Sequence, residues 1–263
     1  MDDKTKKKIE VMQRAGAILG QVMDEIVAYV KEGVTELDVD KLAERRILEL
    51  GGEPGFKKVE GYRHTICAST NDVVVHGIPK DRKLKAGDVF GFDCGVYLEG
   101  YHTDMAETVR VKNEESQINN EQDSTDKFLK IGKKALFEAI KQARPGNRVG
   151  NISKFMQEGI ESNGYSIVRS LVGHGVGKEL HEEPEIPGYL EGKIDSTPLL
   201  HVGMTIAIEV IYNMGKAGVV FEGTDDWTIV SEDGSLAGLF ERTLYISENG
   251  PILITKLTGD PLI

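Results

Sequence analysis

Two aspartates, Asp93 and Asp104, bracket the segment DCGVYLEGYHTD. If the central Glu-Gly forms a tight turn, the flanking strands pair so that Gly95 lies opposite Asp104. Side chains alternate between the two faces of a sheet, so both aspartates become diagonal neighbours on one face, roughly 7–8 Å apart at Cβ. Carboxylates at this separation repel each other, which predicts a cation between them.

Three further ligand-type residues have apolar or glycine-rich surroundings. His174 has glycines on both sides in GHGVGKELHEEP, which allows close backbone approach and a fixed imidazole direction. Glu209 ends GMTIAIE and Glu241 lies in GLFERTLYIS, where burying a lone carboxylate is costly. Each acid alone is better explained as a surface carboxylate. Together, four carboxylates and one imidazole balance two divalent cations, which predicts a dinuclear centre with ions about 3.5–4 Å apart.

The composition is that of a soluble globular protein. The 263 residues suffice for one large domain, and 40% of them are hydrophobic. A net charge of −11 argues against a nucleic-acid partner, and no apolar segment reaches the roughly 18–20 residues of a membrane span. The N-terminal segment lacks the apolar region of a signal peptide. With only two cysteines, Cys67 and Cys94, we expect no disulfide framework and a cytoplasmic location.

The chain repeats its order of sequence signals once. A long helical pattern, a shorter one and apolar strand-like segments occur in each half. The apolar positions of the shorter helical pattern in the first half recur 113 residues later in the second half. Gly146 follows Gly33 at the same distance. Further on, LKAGDVFGFD matches LHVGMTIAIE at an offset of 116, which aligns Asp93 with Glu209.

This repeat predicts an α+β fold. Helices would cover the outer face of a mainly antiparallel β-sheet and leave a site on the inner face. We expect a single catalytic domain over residues 1–263, with related halves at about 5–112 and 127–255. The polar segment 113–126 between the halves is predicted to be an exposed connecting loop.

The chain resembles the type I methionine aminopeptidases of peptidase family M24. The resemblance covers about residues 8–255 and depends on CASTNDVVVHGIP, DCGVYLEGYHTD, PGNRVG, GHGVGKELHEEP, GMTIAIE and FERT. It implies a pita-bread fold with pseudo-two-fold symmetry, helices on the outer face of the sheet and a dinuclear metal site on the inner face. The implied activity is removal of the initiator methionine from nascent proteins and peptides when the second residue is small.

The resemblance also implies roles for residues at matching positions. Asp104 and Glu241 would bridge the ions, and the full ligand set would be Asp93, Asp104, His174, Glu209 and Glu241. A water molecule between the ions would give a proton to Glu209, and the resulting hydroxide would attack the first peptide carbonyl. Glu209 would then pass that proton to the leaving amine.

Two histidines and a pocket would bind the substrate. The resemblance implies that His181 stabilises the oxyanion and that His76 positions the substrate amide, so both are predicted catalytic and substrate-binding residues. Tyr62, Cys67 and Trp227 match the methionine pocket. Without the resemblance, Trp227 is more simply a core residue.

The predicted cofactors are two divalent metal ions, and manganese, iron, cobalt and zinc all suit the ligand set. The predicted partner is the N-terminal methionine of nascent polypeptides, which leaves a transient association with the ribosome open. We expect a monomer, with no nucleic-acid or membrane partner.

Four features depart from the pattern of the resembled enzymes. Val210 follows Glu209 in place of a common proline, and Arg242 follows Glu241 in place of a frequent histidine. Leu180 replaces a commonly aromatic residue, and the segment 55–62 is longer than usual. We expect the last two to affect side-chain selectivity more than metal binding.

Two alternatives remain at this point. A proline-directed pita-bread peptidase of the aminopeptidase P or prolidase type would share the five ligands, and FDCG resembles that group. HGIP favours methionine cleavage instead, and an additional N-terminal domain is usual in that group. A non-catalytic pita-bread binding protein should have lost ligands, whereas all five are present here.

Overall fold

The computed structural model describes residues 1–112, 123–223 and 225–263. The helices in chain order are α1 (Asp3–Tyr29), α2 (Glu36–Glu49), α3 (Ser124–Ile140) and α4 (Val149–Glu161). The strands are β1 (Glu53–Pro54), β2 (Ile66–Thr70), β3 (Val73–Val75), β4 (Val89–Leu98), β5 (Tyr101–Arg110), β6 (Ser166–Ile167), β7 (Val172–Gly175), β8 (Glu182–Pro187), β9 (Thr205–Asn213), β10 (Val219–Phe221), β11 (Ile229–Ser231), β12 (Ala237–Ser247) and β13 (Gly250–Leu253).

Helix starts coincide with side chains that can cap them. Thr35 Oγ1 accepts a hydrogen bond from the Asp38 amide at 3.1 Å, and Asp38 Oδ2 accepts one from the Thr35 amide at 3.1 Å. This reciprocal pair satisfies two amide groups that the first turn of α2 would otherwise leave unpaired. Thr35 and Asp38 therefore form a capping box, as their three-residue spacing in the sequence indicates.

The connecting segment is shorter at its C-terminal end than predicted. Asp123 caps α3 by accepting a hydrogen bond from the Thr125 amide at 2.8 Å, so the helix already begins at Ser124. Asp126 is therefore helical, and it pairs with Arg110 at 3.2 Å. Of the predicted loop 113–126, residues 113–122 lie outside the described part of the chain.

The strands form antiparallel sheets, and the α+β prediction is confirmed. One sheet has the order β1-β4-β2, with β5 also paired to β4. A second has the order β13-β12-β9-β7-β8, with β6 paired to β9. A small third sheet has the order β10-β11-β3.

The hairpin β4–β5 has the predicted register. Leu98 pairs with Tyr101, and Gly95 lies opposite Asp104. Glu99 and Gly100 form the turn with φ angles of 47° and 92°, the left-handed pair that a two-residue hairpin turn requires. The turn residues thus determine which side chains of the two strands share a face.

Helices cover one face of the two larger sheets. Leu19 and Met23 of α1 pack with Phe90, Phe92 and Cys94 of β4 in one buried cluster. A second buried cluster joins α3 and α4 to β9 and β12. Cys94 therefore lies in the core, and the opposite face of β4 is left for Asp93. No helix in the described ranges is long and apolar enough to cross a membrane.

Side chains join β5 to β12, which belong to different sheets. Thr243 Oγ1 accepts a hydrogen bond from the Asp104 amide at 3.0 Å and donates one to the Asp104 carbonyl at 2.8 Å. Thr108 Oγ1 bridges in the same way to the Leu239 carbonyl and amide, at 2.6 and 3.0 Å. Hydroxyl groups therefore replace backbone pairing where the two sheets meet.

Candidate metal centre

The hairpin β4–β5 brings Asp93 and Asp104 to the inner face of the sheet. Asp104 is only 4% exposed, and its Oδ1 accepts a hydrogen bond from the Met105 amide at 2.9 Å. The Oδ1 of Asp93 is buried and has no hydrogen-bond partner among the described residues. Because an unpaired buried carboxylate oxygen is costly, this atom is suited to a cation.

Two glutamates complete the acidic cluster from β9 and β12. Glu209 and Glu241 are direct cross-strand partners, and Glu241 is 2% exposed. Like charges at opposed positions of an antiparallel pair destabilise the sheet unless a cation lies between them. The pairing of the two glutamates therefore indicates a cation site, as the unpaired oxygen of Asp93 does.

His174 presents one defined nitrogen to the acids. Its Nδ1 lies 2.8 Å from the Gly175 carbonyl oxygen, so Nδ1 carries the proton and Nε2 has a free lone pair. Nε2 lies 4.0 Å from Asp104 Oδ2 and 3.9 Å from Glu241 Oε1. The ligand atoms of these three buried residues all lie within 4.8 Å of one another.

The glycines beside His174 are required by close backbone contacts. A Cβ atom on Gly175 would lie 2.2 Å from the Glu183 carbonyl oxygen, and one on Gly173 would lie 2.7 Å from that of Ala207. Larger residues would push β7 away from its neighbours. The local sequence therefore sets the position of the imidazole, as its glycine pattern predicts.

Burial and mutual repulsion hold protons on the acids when no metal is bound. Burial raises the pKa of Asp104 to about 7, and burial with the Asp104 charge raises the pKa of Glu209 to about 8. The same two causes raise the pKa values of Asp93 and Glu241 well above the usual range. This donor set fits divalent cations, which would replace the protons.

One cavity of about 120 Å³ is lined by every residue that the sequence predicts for the site. These are the five ligand-type residues and the five predicted substrate-binding residues, namely Tyr62, Cys67, His76, Asp93, Asp104, His174, His181, Glu209, Trp227 and Glu241. Among the described residues, neither lysine nor arginine lines the cavity. Its charge is therefore uncompensated by the side chains around it.

Two further histidines face the cavity. The ring centroids of His174 and His181 lie 4.5 Å apart, and partial desolvation in the cavity lowers the pKa of His181, which keeps part of its surface exposed. Burial and the neighbouring His181 lower the pKa of His76. Both imidazoles are therefore neutral at pH 7, so each offers one donor and one acceptor.

The backbone at His76 is in the left-handed region, with φ at 57°. The following Gly77 packs so closely on β2 that a Cβ atom there would lie 2.0 Å from the Ala68 carbonyl oxygen. Because a non-glycine residue with positive φ is uncommon, this geometry points to a constraint on where His76 can lie.

The apolar end of the cavity is a cluster of aromatic and aliphatic residues. The Tyr62 and Trp227 ring centroids are 5.1 Å apart, and the Tyr62 hydroxyl donates to the Ile66 carbonyl at 2.8 Å. Asp225 Oδ1 accepts a hydrogen bond from the Trp227 amide at 2.8 Å, which holds the indole beside the tyrosine. The pocket thus has an apolar wall beside the acidic cluster, since Cys67 is the cross-strand partner of Asp93.

Sequence reasoning missed Phe56, Val59 and Val75, which also line the cavity, and left the place of Leu180 open. Phe56 and Leu180 are buried with Tyr62 and Cys67 in one small cluster. The longer 55–62 segment and the departure at Leu180 were the available signals, because both introduce apolar residues next to predicted site residues.

The two departures beside metal-ligand positions point away from the cavity. Val210 is fully buried in the cluster that includes α3 and α4. The Arg242 side chain lies over the ring of Phe137, on the helix-covered outer face. Alternation along a strand explains both, because residues next to inward-facing glutamates face outward.

Comparison with known proteins shows what this chain is similar to. Residues 10–228 match the sequence model of metallopeptidase family M24. A methionine aminopeptidase of Clostridium acetobutylicum is 41% identical over 253 residues, which cover 96% of this chain and 97% of that protein. The crystal structure of a methionine aminopeptidase from Thermotoga maritima superposes with a TM-score of 0.88 at 37% identity, covering 95% of this chain and 97% of the other.

The fold and the inward-facing donor cluster agree with a metal-dependent peptidase, and the chain belongs to metallopeptidase family M24. The predicted pita-bread fold is confirmed by the likeness to the Thermotoga structure. An Xaa-Pro dipeptidase from Bacillus anthracis superposes with a TM-score of 0.75 at 19% identity, covering 97% of this chain and 62% of that one. That likeness shows a shared fold alone.

Proposed function

We propose that this chain is a methionine aminopeptidase that removes the N-terminal methionine from proteins and peptides whose second residue is small. The full-length relatives named methionine aminopeptidase support this activity. The observation that carries the proposal is the cavity itself, in which a buried acidic cluster faces an apolar pocket of suitable size for one side chain.

The proposed cofactors are two divalent metal ions held by Asp93, Asp104, His174, Glu209 and Glu241. Support comes from the metallopeptidase family, from the unpaired Asp93 oxygen and from the raised carboxyl pKa values. When bound, the ions would supply Lewis acidity and lower the pKa of a water molecule. Two ions, rather than one, balance four carboxylate charges.

Glu209 is the proposed proton carrier. Its carboxylate lies on the cavity wall and remains partly exposed, so it can reach both a water molecule and the leaving amine. Its elevated pKa of about 8 in the metal-free protein reflects burial and the Asp104 charge, which cations would offset. A carboxylate that takes up and returns one proton suits general base and then general acid catalysis.

His181 and His76 are the proposed substrate-binding imidazoles. A neutral His181 can donate one hydrogen bond to the oxygen that becomes negative during attack. A neutral His76 can bind the substrate amide on the leaving side, and its constrained backbone keeps it there. The free α-amine of the substrate would bind at or beside a metal ion, which selects an N-terminus.

The apolar wall accounts for the proposed methionine preference. Tyr62, Cys67 and Trp227 lie with Phe56 and Leu180 where an unbranched thioether side chain can be buried. Burying such a side chain contributes about 1.5–3 kcal/mol, and sulfur–aromatic contacts add to it.

We also propose one catalytic domain with two related halves, about 5–112 and 127–255. Paired glycines support it, because Gly33 and Gly146 have φ angles of 88° and 86°. Gly87 and Gly203 have φ angles of 91° and 90°. The expectations of a monomer, a cytoplasmic location and a transient ribosome contact stay predictions.

The test is to load the protein with Mn²⁺ and incubate it with Met-Ala-Ser and, separately, with Xaa-Pro-Ala peptides in which Xaa is not methionine. Release of free methionine from the first peptide alone supports the proposal. Release of the first residue only from the Xaa-Pro peptides would show a proline-directed peptidase. No release from either, in protein that binds Mn²⁺, would indicate a binding protein.

A further inference from the structure

A second buried charge cluster lies directly behind the candidate metal centre. Arg242 is 0% exposed, and its guanidinium binds Asp260 through Nε at 2.7 Å and Nη2 at 3.0 Å. Nη2 also donates to Glu107 at 2.6 Å. Lys133 of α3 lies 3.1 Å from both Glu107 oxygens and 3.4 Å from Asp260, so two acids face two bases.

The remaining guanidinium nitrogen binds the backbone of the ligand strands. Nη1 donates to the carbonyl of Glu241 at 2.8 Å and to the carbonyl of Ala106 at 2.9 Å. Glu241 is itself a proposed ligand on β12, and Ala106 lies two residues after the proposed ligand Asp104 on β5. One buried cation therefore spans the two strands that carry the proposed bridging carboxylates.

The segment around residues 254–260 provides the counter-charge and a second link to the same strands. Asp260 Oδ2 accepts the Leu257 amide at 2.9 Å, which fixes the carboxylate within its own turn. Thr255 Oγ1 accepts the Thr243 amide at 2.8 Å and donates to the Asp104 carbonyl at 3.3 Å. The backbone of Asp104 is thus held from both Thr243 and Thr255.

We infer that the Arg242–Asp260 pair is a positioning device, through which the segment 254–260 sets the separation of Glu241 and Asp104 for metal binding. The inference rests on the proposed metal site. A guanidinium fork with five hydrogen bonds has one defined orientation, which a lysine or a histidine could not reproduce. The departure at Arg242 therefore belongs with Asp260, because the two side chains are buried against each other.

The matched control is Asp24, which holds the same segment at a distance from the site. Asp24 of α1 accepts from the Thr258 hydroxyl at 2.6 Å and from the Thr258 amide at 3.2 Å. Replacing Asp24 loosens the segment from the helix layer and leaves the Arg242–Asp260 pair intact. Asp24→Asn and Asp260→Asn make the same chemical change on two sides of one segment.

The experiment measures the Mn²⁺ dissociation constant by calorimetry, the spectrum of bound Mn²⁺ by electron paramagnetic resonance, and kcat and KM for Met-Ala-Ser. In Asp260→Asn we expect the dissociation constant to rise about 10–100-fold, the usual range for partners that orient metal ligands. We expect kcat to fall with KM nearly unchanged, and the spectrum to shift. Asp24→Asn should leave the dissociation constant within about twofold.

Equal dissociation constants in Asp260→Asn and Asp24→Asn would overturn the inference, even if both variants melt at lower temperature. Where Asp260→Asn does not fold, Asp260→Glu decides by the same criterion, because it keeps the charge and moves the carboxylate by one methylene. Failure of the proposed function would give a different result from failure of this inference. In that case the wild-type protein and Glu241→Gln would bind Mn²⁺ equally.

Discussion

Two buried acidic clusters lie back to back on β5 and β12, and they differ in the source of their positive charge. On the outer face, Glu107 and Asp260 are neutralised by Arg242 and Lys133. On the inner face, four carboxylates line a cavity to which the described part of the chain contributes neither lysine nor arginine. The outer cluster is complete as the chain folds, whereas the inner cluster needs protons or external cations.

The difference shows how one pair of strands supports structure on one side and chemistry on the other. Buried acids that are paired with lysine or arginine side chains contribute to the fold, and their charge is not available to a ligand. Buried acids without such partners destabilise the fold, and their charge remains available to bind a cation. The four predictions that follow test this contrast.

The largest effect is expected from removing the imidazole of the inner cluster. His174→Ala should lower kcat/KM for Met-Ala-Ser at least about 10³-fold and weaken Mn²⁺ binding, because the only proposed nitrogen ligand is lost. Peptide hydrolysis and calorimetry measure the two effects. His201→Ala, at an exposed position, serves as the control and should retain wild-type values. Normal turnover in His174→Ala would contradict the site assignment.

The outer cluster should respond in stability. Glu107→Gln leaves Arg242 and Lys133 with one acid between them, so we expect a loss of about 3–5 kcal/mol in the free energy of unfolding of the metal-free protein. Urea unfolding measures it. Glu138→Gln removes an exposed partner of Lys141 on α3 and should cost no more than about 1 kcal/mol. Equal losses would remove the distinction between the buried cluster and a surface ion pair.

The inner cluster should make the metal-free protein less stable as pH rises. Its carboxyl groups bind protons more tightly when folded, with pKa values raised to about 7 for Asp104 and about 8 for Glu209 by burial. The folded state therefore holds more protons than the unfolded state between about pH 4 and pH 8, and stability falls over this window.

Thermal melting of the metal-free protein at pH 5 and pH 8 tests the sign. We expect the metal-free protein to be less stable at pH 8 than at pH 5 by several kcal/mol. Added Mn²⁺ should reverse the trend, because cations compete better as protons leave. Glu241→Gln should flatten the slope in the metal-free protein. A metal-free protein that gains stability up to pH 8 would show that these acids are not destabilised by burial.

The smallest effect is expected at the apolar wall. Leu180→Phe adds volume to a cluster that already packs Phe56 and Tyr62, so kcat/KM for Met-Ala-Ser should fall about tenfold. Mn²⁺ affinity should stay unchanged, since Leu180 is not a ligand. Leu48→Phe, at an exposed site, is the control. A weaker Mn²⁺ affinity in Leu180→Phe would mean that the wall and the acidic cluster are not independent.

Local sequence signals predicted the parts of the site that local geometry determines. The Glu99–Gly100 turn sets the register of β4–β5, and therefore the shared face of Asp93 and Asp104, within twelve residues. The glycines beside His174 act equally locally. Such features are accessible from a single chain because turn chemistry and strand alternation need no distant partner.

Partners far apart in the chain could not be predicted in this way. Arg242 was noticed as a departure, but its acids lie 18 residues later at Asp260 and 135 residues earlier at Glu107. Phe56 and Leu180 meet at the apolar wall only once β4 and the segment before β8 are in place. These contacts depend on tertiary packing, for which periodicity carries no information.

The hydroxyl bridges between β5 and β12 have a consequence for how the protein comes apart. Thr243 holds the main chain of Asp104, so the two sheets cannot separate at that line without pulling the carboxylates away from their shared centre. Unfolding of the metal-loaded protein along this line should therefore release its ions in the same cooperative step.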